Sequence, residues 1–302
     1  MSGPFGETRV VDAHQHFWDL SRDDHPWLRR PAPGSEEDVI RRRYFKYQPK
    51  EYLEEVKPLR VAASVHVEAS WNVDDPVGET RWLQHMHDSG GWPTAIVGAV
   101  QLEAPDARKV LTAHARHPAF RGVRDPLGWS RRPEFRLARA PSQMADPAWR
   151  KGFALLQPLG LRFDMQVFPW QLTEAADLAS DFPDTAIVLD HCGSPDELAN
   201  DRDVWKEGIA RLANCANVYV KVSGISHSAR SPSDICEYTT TLIERFGCER
   251  IMFGSNLPIE ELGGSLATLI EGARAALSSR SDEERDGFWG GNAARFYALV
   301  TK

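Results

Sequence analysis

Eight short runs of strand-forming residues recur along the chain, and most are separated by stretches long enough for a helix. The runs are Val10–His16, Val61–Glu68, Ala95–Leu102, Arg121–Arg124, Arg162–Phe168, Ala186–His191, Val218–Ser223 and Ile251–Asn256. Helical patterns lie between them, for example Pro76–Ser89, Pro105–His117, Pro147–Leu159 and Leu172–Ser180. Several begin at or near proline, whose fixed φ suits the first turn of a helix. Such alternation implies parallel strands joined by crossover helices. Eight units predict a closed (β/α)8 TIM barrel of the α/β class, with an open doubly wound sheet as the alternative. No repeat at solenoid period and no low-complexity linker interrupts residues 1–302, so they read as a single domain. One insertion, residues 17–60, is rich in Trp, Arg and Pro. It follows the first strand and is therefore expected over the catalytic face.

Side chains alternate across a strand, so each run has a helix-facing and a barrel-facing set. VYVKVSG sends Val218, Val220 and Val222 outward and Tyr219, Lys221 and Ser223 inward. RFDMQVF sends Asp164 and Gln166 inward, and IMFGSN sends Gly254 and Asn256 inward. By the same reading Asp12, His14 and His16 face inward from the first strand, and His66 and Glu68 from the second. His191 takes the inward parity of Leu189, leaving Asp190 and Cys192 outward. A purely structural barrel interior is dominated by Val, Ile and Leu. Burying this many polar groups together is costly unless they are partnered. Four histidines converging from strands one, two and six therefore point to a site rather than a packed core.

Composition narrows the function class. The net charge of −7 and the pI near 5.8 exclude a nucleic-acid or anionic-membrane binder, both of which need a basic face. The run Arg41-Arg42-Arg43 reads as a solvated patch or as recruitment of an anionic substrate. Cys192, Cys215, Cys236 and Cys248 form no CxxC and read as reduced thiols of a cytoplasmic protein. The start of the chain has no cationic-then-apolar signal, and no stretch approaches a membrane span. There is no GxGxxG, no phosphate-binding GxxxxGKS/T and no GxSxG, so nucleotide binding and a covalent serine mechanism have no support.

His14-Gln15-His16 places two imidazoles on one face, able to chelate an ion or to grip a substrate oxygen. With VDAHQHFWD come HVEA, GVRDP, LDHCG, VYVKVSG, FGSNLP and GGNAARFYAL, in order from about residue 9 to 299. As a set these resemble the amidohydrolase-2 family of metal-dependent TIM-barrel hydrolases. Within it they resemble the sugar-lactonase branch, which includes fuconolactonase-like and pyrone-dicarboxylate-lactonase-like enzymes. The resemblance implies that His14 and His16 hold a metal or the substrate carbonyl. It implies that His191 polarises or protonates a lactone and that Arg124 faces the substrate. The fork of Arg124 suits a carboxylate or lactone oxygen, the alternative being a structural ion pair with Asp125 or Glu68.

Two positions depart from the family pattern. The strand-eight motif commonly reads FGSDWP, whose aspartate is the general base. Here it reads FGSNLP, and the amide of Asn256 cannot accept a proton in that role. His66 stands where lactonases of this branch often carry glutamine, which makes it a candidate replacement base, with Glu68 as its rival. His14, His16 and His191 are the candidate ligands of one divalent ion, zinc first, although loss of the strand-eight carboxylate weakens such a site. Lys221 reads as a structural charge partner of Asp12 or Asp164. Trp18, Trp27 and Trp71 either line a substrate mouth or pack the insertion, and Glu68 is a further substrate-binding candidate. The expected partner is a small molecule, a lactone or carboxylate, with no nucleic acid and no membrane. The expected activity is hydrolysis of a cyclic ester of a catabolic pathway, carbohydrate catabolism among them. The alternatives are lactone isomerisation or decarboxylation on the same fold, or a non-catalytic binding protein because of Asn256.

Overall fold

The computed structural model describes residues 9–131, 133, 136–195, 201–225, 229 and 231–299. Eight parallel strands form one sheet in sequence order. They are β1 (Val10–Gln15), β2 (Val61–Val67), β3 (Ala95–Ala99), β4 (Phe120–Arg124), β5 (Arg162–Met165), β6 (Ile187–Leu189), β7 (Val218–Val222) and β8 (Ile251–Phe253). The first and last strands meet just beyond β8. There Asn256 N–H donates to the His14 carbonyl at 2.7 Å, and His16 N–H donates to the Leu257 carbonyl at 2.9 Å. The sheet thus closes into the expected barrel. No described helix is long and apolar enough to cross a membrane.

Two apolar clusters separate the inside of the barrel from its jacket. Ile96, Phe163, Met165, Leu189, Val220 and Phe253 belong to the outer cluster, shared with the helices. Val11, Ala13, Val65, Val67, Val97, Val188 and Met252 form the inner one. Ala293, Phe296 and Tyr297, from the end of the chain, complete that inner cluster and plug its floor. The GGNAARFYAL segment is held there because the Asn292 amide donates to the carbonyls of Cys248 and Ile251 at 2.7 and 2.6 Å.

This partition corrects three inward assignments. Val65 and Val67 line the barrel, so His66, between them, turns to the jacket and meets Glu79 of the helix Gly78–Gly90. Asp12 also faces outward, accepting from Tyr52 Oη at 2.8 Å and from Ser255 N and Oγ at 2.8 and 2.6 Å. Its role is to tie the closing seam. Leu189 packs outward, so the inward parity of β6 falls to Asp190. His14 nevertheless points inward because β1 carries a bulge: Asp12 pairs with Ser64 but Gln15 with His66. The extra residue resets the alternation between Ala13 and His14.

The insertion 17–60 has its own small core. Trp18–Asp19 pairs antiparallel with Lys46–Tyr47, and the helix Glu36–Arg43 lies between them in the chain. Ser35 caps that helix, acids fill its first turn and Arg41–Arg43 its last, as the helix dipole favours. Arg41 donates to the Leu28 carbonyl, Arg42 pairs with Asp38 and Arg43 lies 3.8 Å from Glu261. Arg42 and Arg43 remain largely exposed, as a solvated patch would be. Trp18 is completely buried among Tyr47, Trp27 and His25, with its indole N–H on the Tyr44 carbonyl. It packs the insertion and offers no surface to a substrate.

Candidate active site

The polar interior begins above the Tyr297 floor as a ladder of alternating charge. Tyr297 Oη donates to the Asp164 carboxylate at 2.9 Å. Asp164 pairs with Lys221, whose Nζ lies 2.9 Å from Asp190 Oδ1. Asp190 Oδ2 is 3.6 Å from Nη1 of Arg124, and Arg124 Nε donates to Glu68 Oε1 at 2.7 Å. Five charges from β5, β7, the end of β6, β4 and the end of β2 thus alternate in sign up the barrel. Alternation is what lets them stay buried, since an unpaired ion in this interior is prohibitively costly. Burial alone raises the Asp190 pKa, but Lys221 first, then His14 and His191, holds it well below the usual carboxylate value.

Three imidazoles gather at the top of the ladder. The ring centres of His14 and His16 are 5.0 Å apart, and those of His14 and His191 are 4.5 Å apart. His16 donates from Nδ1 to the Val67 carbonyl at 2.8 Å, which leaves the lone pair on Nε2. His14 has the opposite polarity. Its Nδ1 lies 3.2 Å from Lys221 Nζ and 3.4 Å from Asp190 Oδ1; the nearer group, an ammonium, can only donate, which favours the ring proton on Nε2, an atom buried without a partner. His191 follows a sharp left-handed break, with φ of 54° at His191 and 56° at Cys192. The break turns its ring into the barrel beside Asp190, where Nδ1 lies 3.0 Å from Ser223 Oγ. Gly224 makes room, because a Cβ there would lie 2.2 Å from His191 Nδ1. Burial is the first cause pushing both His14 and His16 well below the ordinary histidine pKa, seconded by Lys221 for His14 and Arg124 for His16. Both rings are therefore neutral at neutral pH.

The sites expected from sequence divide accordingly. His14, His16, His191, Arg124 and Glu68 converge, and Asn256 lies beside them through its backbone bond to His14, in a left-handed conformation with φ of 54°. His66 does not join them as a base. Its Nδ1 accepts from Phe17 N–H at 3.0 Å and its Nε2 faces Glu79 Oε1 at 3.2 Å, so both nitrogens are used. Burial pushes its pKa to about 3. Trp71 stacks on Trp82 at 5.9 Å beneath Arg22 and packs edge-on with His25, as a wall of the loop after β2. Cys192 joins the outer cluster, and all four cysteines are free. Asp190 is the central residue that sequence reasoning turned outward, whereas Lys221 is inward and paired with Asp164 as expected. Strict alternation from an outward Leu189 already turns Asp190 inward, and it was missed because the parity of β6 was set from His191, which enters only through the left-handed turn.

Among the described residues, the group able to hold a divalent ion is His14, Asp190 and His191, whose candidate ligand atoms lie within 4.8 Å of one another. Asp190 therefore stands where His16 was expected. The donor types fit zinc, and both Asp190 oxygens and His14 Nε2 are buried without a directed hydrogen bond.

With this geometry in place, the comparisons with known proteins decide the family. The amidohydrolase family profile matches residues 11–299. The chain belongs to the amidohydrolase family. It is accordingly an enzyme of hydrolase type. An L-fucono-1,5-lactonase of Burkholderia multivorans is 31% identical over 96% of this chain and 96% of its own. An uncharacterised protein of Sinorhizobium fredii is also 31% identical, over 96% of this chain and 98% of its own. A crystal structure of a Burkholderia multivorans amidohydrolase with bound zinc superposes with a TM-score of 0.81 at 27% identity, covering 97% of this amidohydrolase and 100% of that chain.

Proposed function

We propose that this amidohydrolase opens a cyclic ester, a sugar lactone or carboxylated lactone, by attack of water on the ring carbonyl. The observation that carries the reading is the opposed polarity of the two strand-one imidazoles. His16 offers a lone pair on Nε2, fixed by its bond to the Val67 carbonyl, and His14, with Nδ1 on the Lys221 ammonium, offers an N–H on Nε2. A general base and an electrophile are thus set side by side, the pair that acyl transfer to water needs. The similarity to a named lactonase over nearly the whole chain supports the cyclic ester as substrate class.

In this mechanism His16 Nε2 takes a proton from water as its oxygen bonds to the carbonyl carbon. The developing oxyanion accepts from His14 Nε2–H and from Arg124, whose Nη1 is its end not bound to Glu68. The bond from carbon to ring oxygen then breaks, and the proton held by His16 passes to that oxygen. The product is a hydroxy acid, which ionises and releases one proton to solvent. The low pKa of the buried His16 makes its imidazolium a strong acid for this second transfer. A divalent ion would be held by His14, Asp190 and His191, with the His14 ring proton moved off Nε2, and would then supply Lewis-acid polarisation of the carbonyl in place of the His14 N–H.

The test is a panel of sugar and carboxylated lactones followed by acid release, with wild type beside His16→Gln. The reading predicts acid release that collapses in the variant. Acid release unchanged in His16→Gln contradicts it.

A further inference from the structure

Lys221 is completely buried, and its Nζ meets three groups, from β1, from β5 and from just beyond β6. Those groups are the Asp164 carboxylate, Asp190 Oδ1 at 2.9 Å and His14 Nδ1 at 3.2 Å. The ammonium thus has a hydrogen-bond acceptor in Asp164 and in His14 and an ion-pair partner in Asp190, a cation site built from two carboxylates and an imidazole. Two of its three members, Asp190 and His14, also belong to the group able to hold a divalent ion. An ion bound to those residues at the usual distance of about 2 Å would bring a double positive charge against the ammonium.

We propose that the Lys221 ammonium is the resident cation of this barrel, set against Asp190 and His14, the residues that a divalent ion would need. The ladder then needs no metal for charge balance, because Asp190 already lies between Lys221 and Arg124. Lys221 also keeps the ring proton of His14 on Nε2 by donating to Nδ1. A bound metal in this chain must therefore either displace the lysine or bind weakly beside it. The inference concerns cation occupancy and stands whatever the substrate proves to be.

Zinc binding to the full chain reads this directly, by equilibrium dialysis against zinc chloride with metal analysis of the protein. Three proteins are compared: wild type, Lys221→Met and the double variant Asp164→Asn with Lys221→Met. The double variant removes both charges of the deepest pair and guards against unfolding through an orphaned Asp164. Wild type is expected to bind zinc weakly. Removing the lysine should tighten zinc binding by about 100-fold or more, roughly two powers of ten in Kd. Adding His191→Ala to the lysine variant should abolish that gain, which places the ion at the expected trio. Wild type that retains one equivalent of zinc after dialysis into metal-free buffer overturns the proposal, whatever the variants do. Equal zinc affinity in wild type and a folded lysine variant overturns it as well.

Discussion

Arg124 grips Glu68 twice, donating from Nε to Oε1 at 2.7 Å and from Nη2 to the backbone carbonyl at 2.6 Å. Glu68 is fixed in turn by Ser70 N–H on Oε2 at 2.9 Å. The guanidinium is thereby locked in plane, with Nη1 as its remaining end near Asp190. Both readings of Arg124 from sequence, ion pair and substrate contact, are compatible with one side chain used at its two ends.

Arg124→Lys keeps the charge and loses the fork. Steady-state kinetics on the best lactone should show kcat/KM lower by about 100-fold, the usual scale for losing an oxyanion donor. Circular dichroism checks that the variant is folded. Full activity in a folded variant removes Arg124 from the mechanism.

His66→Ala should cost stability and spare the chemistry. It leaves Phe17 N–H and Glu79 without their buried partner, a loss of about 1–3 kcal/mol. His66→Gln can accept from Phe17 and donate to Glu79, so it should recover part of that loss. Urea unfolding measures the stabilities, and kcat per folded molecule should match wild type in both variants. A folded His66→Gln protein with no turnover reinstates His66 as a base.

Glu79 carries a pH signature. Burial first, then the charge of Glu68, raises its pKa from 4.5 to about 8. The folded state keeps a proton that the unfolded state loses, so this contribution is full below about pH 4.5 and fades as pH rises through about 8. Glu79→Gln mimics the neutral acid and does not titrate. The stability of wild type relative to Glu79→Gln should therefore fall from about pH 5 to about pH 8. A difference that stays flat or rises with pH shows that Glu79 is ionised in the fold.

Asn256→Asp restores the carboxylate that the strand-eight motif usually carries. Asp tolerates the left-handed conformation as Asn does, so the variant should fold. With His16 as the proposed base, the wild type should already hydrolyse, and the variant should be no faster. Hydrolysis by the variant alone, measured by acid release, locates the missing base at position 256.

The barrel was legible because each strand carries its own period-two pattern, and β5, β7 and β8 face as that pattern requires. The site was legible in its residue types and less so in its directions. One bulge in β1 and one left-handed turn after β6 changed which side chains enter the barrel. Neither leaves a mark on hydrophobic alternation. His66 was misplaced for a related reason: Val65 and Val67 are equally apolar whether they face helices or the barrel interior, so only tertiary packing assigns the sides. The ladder Asp164–Lys221–Asp190–Arg124–Glu68 joins residues far apart in sequence, and pairing at that range has no local signal.

Incorporation of oxygen from isotopically labelled water into product tests the central claim most directly. A single turnover of a lactone in labelled water should place one labelled oxygen in the product carboxylate and release one proton. Product that carries no label, formed without acid release, would make the reaction an isomerisation or decarboxylation and contradict hydrolysis at the His14–His16 pair.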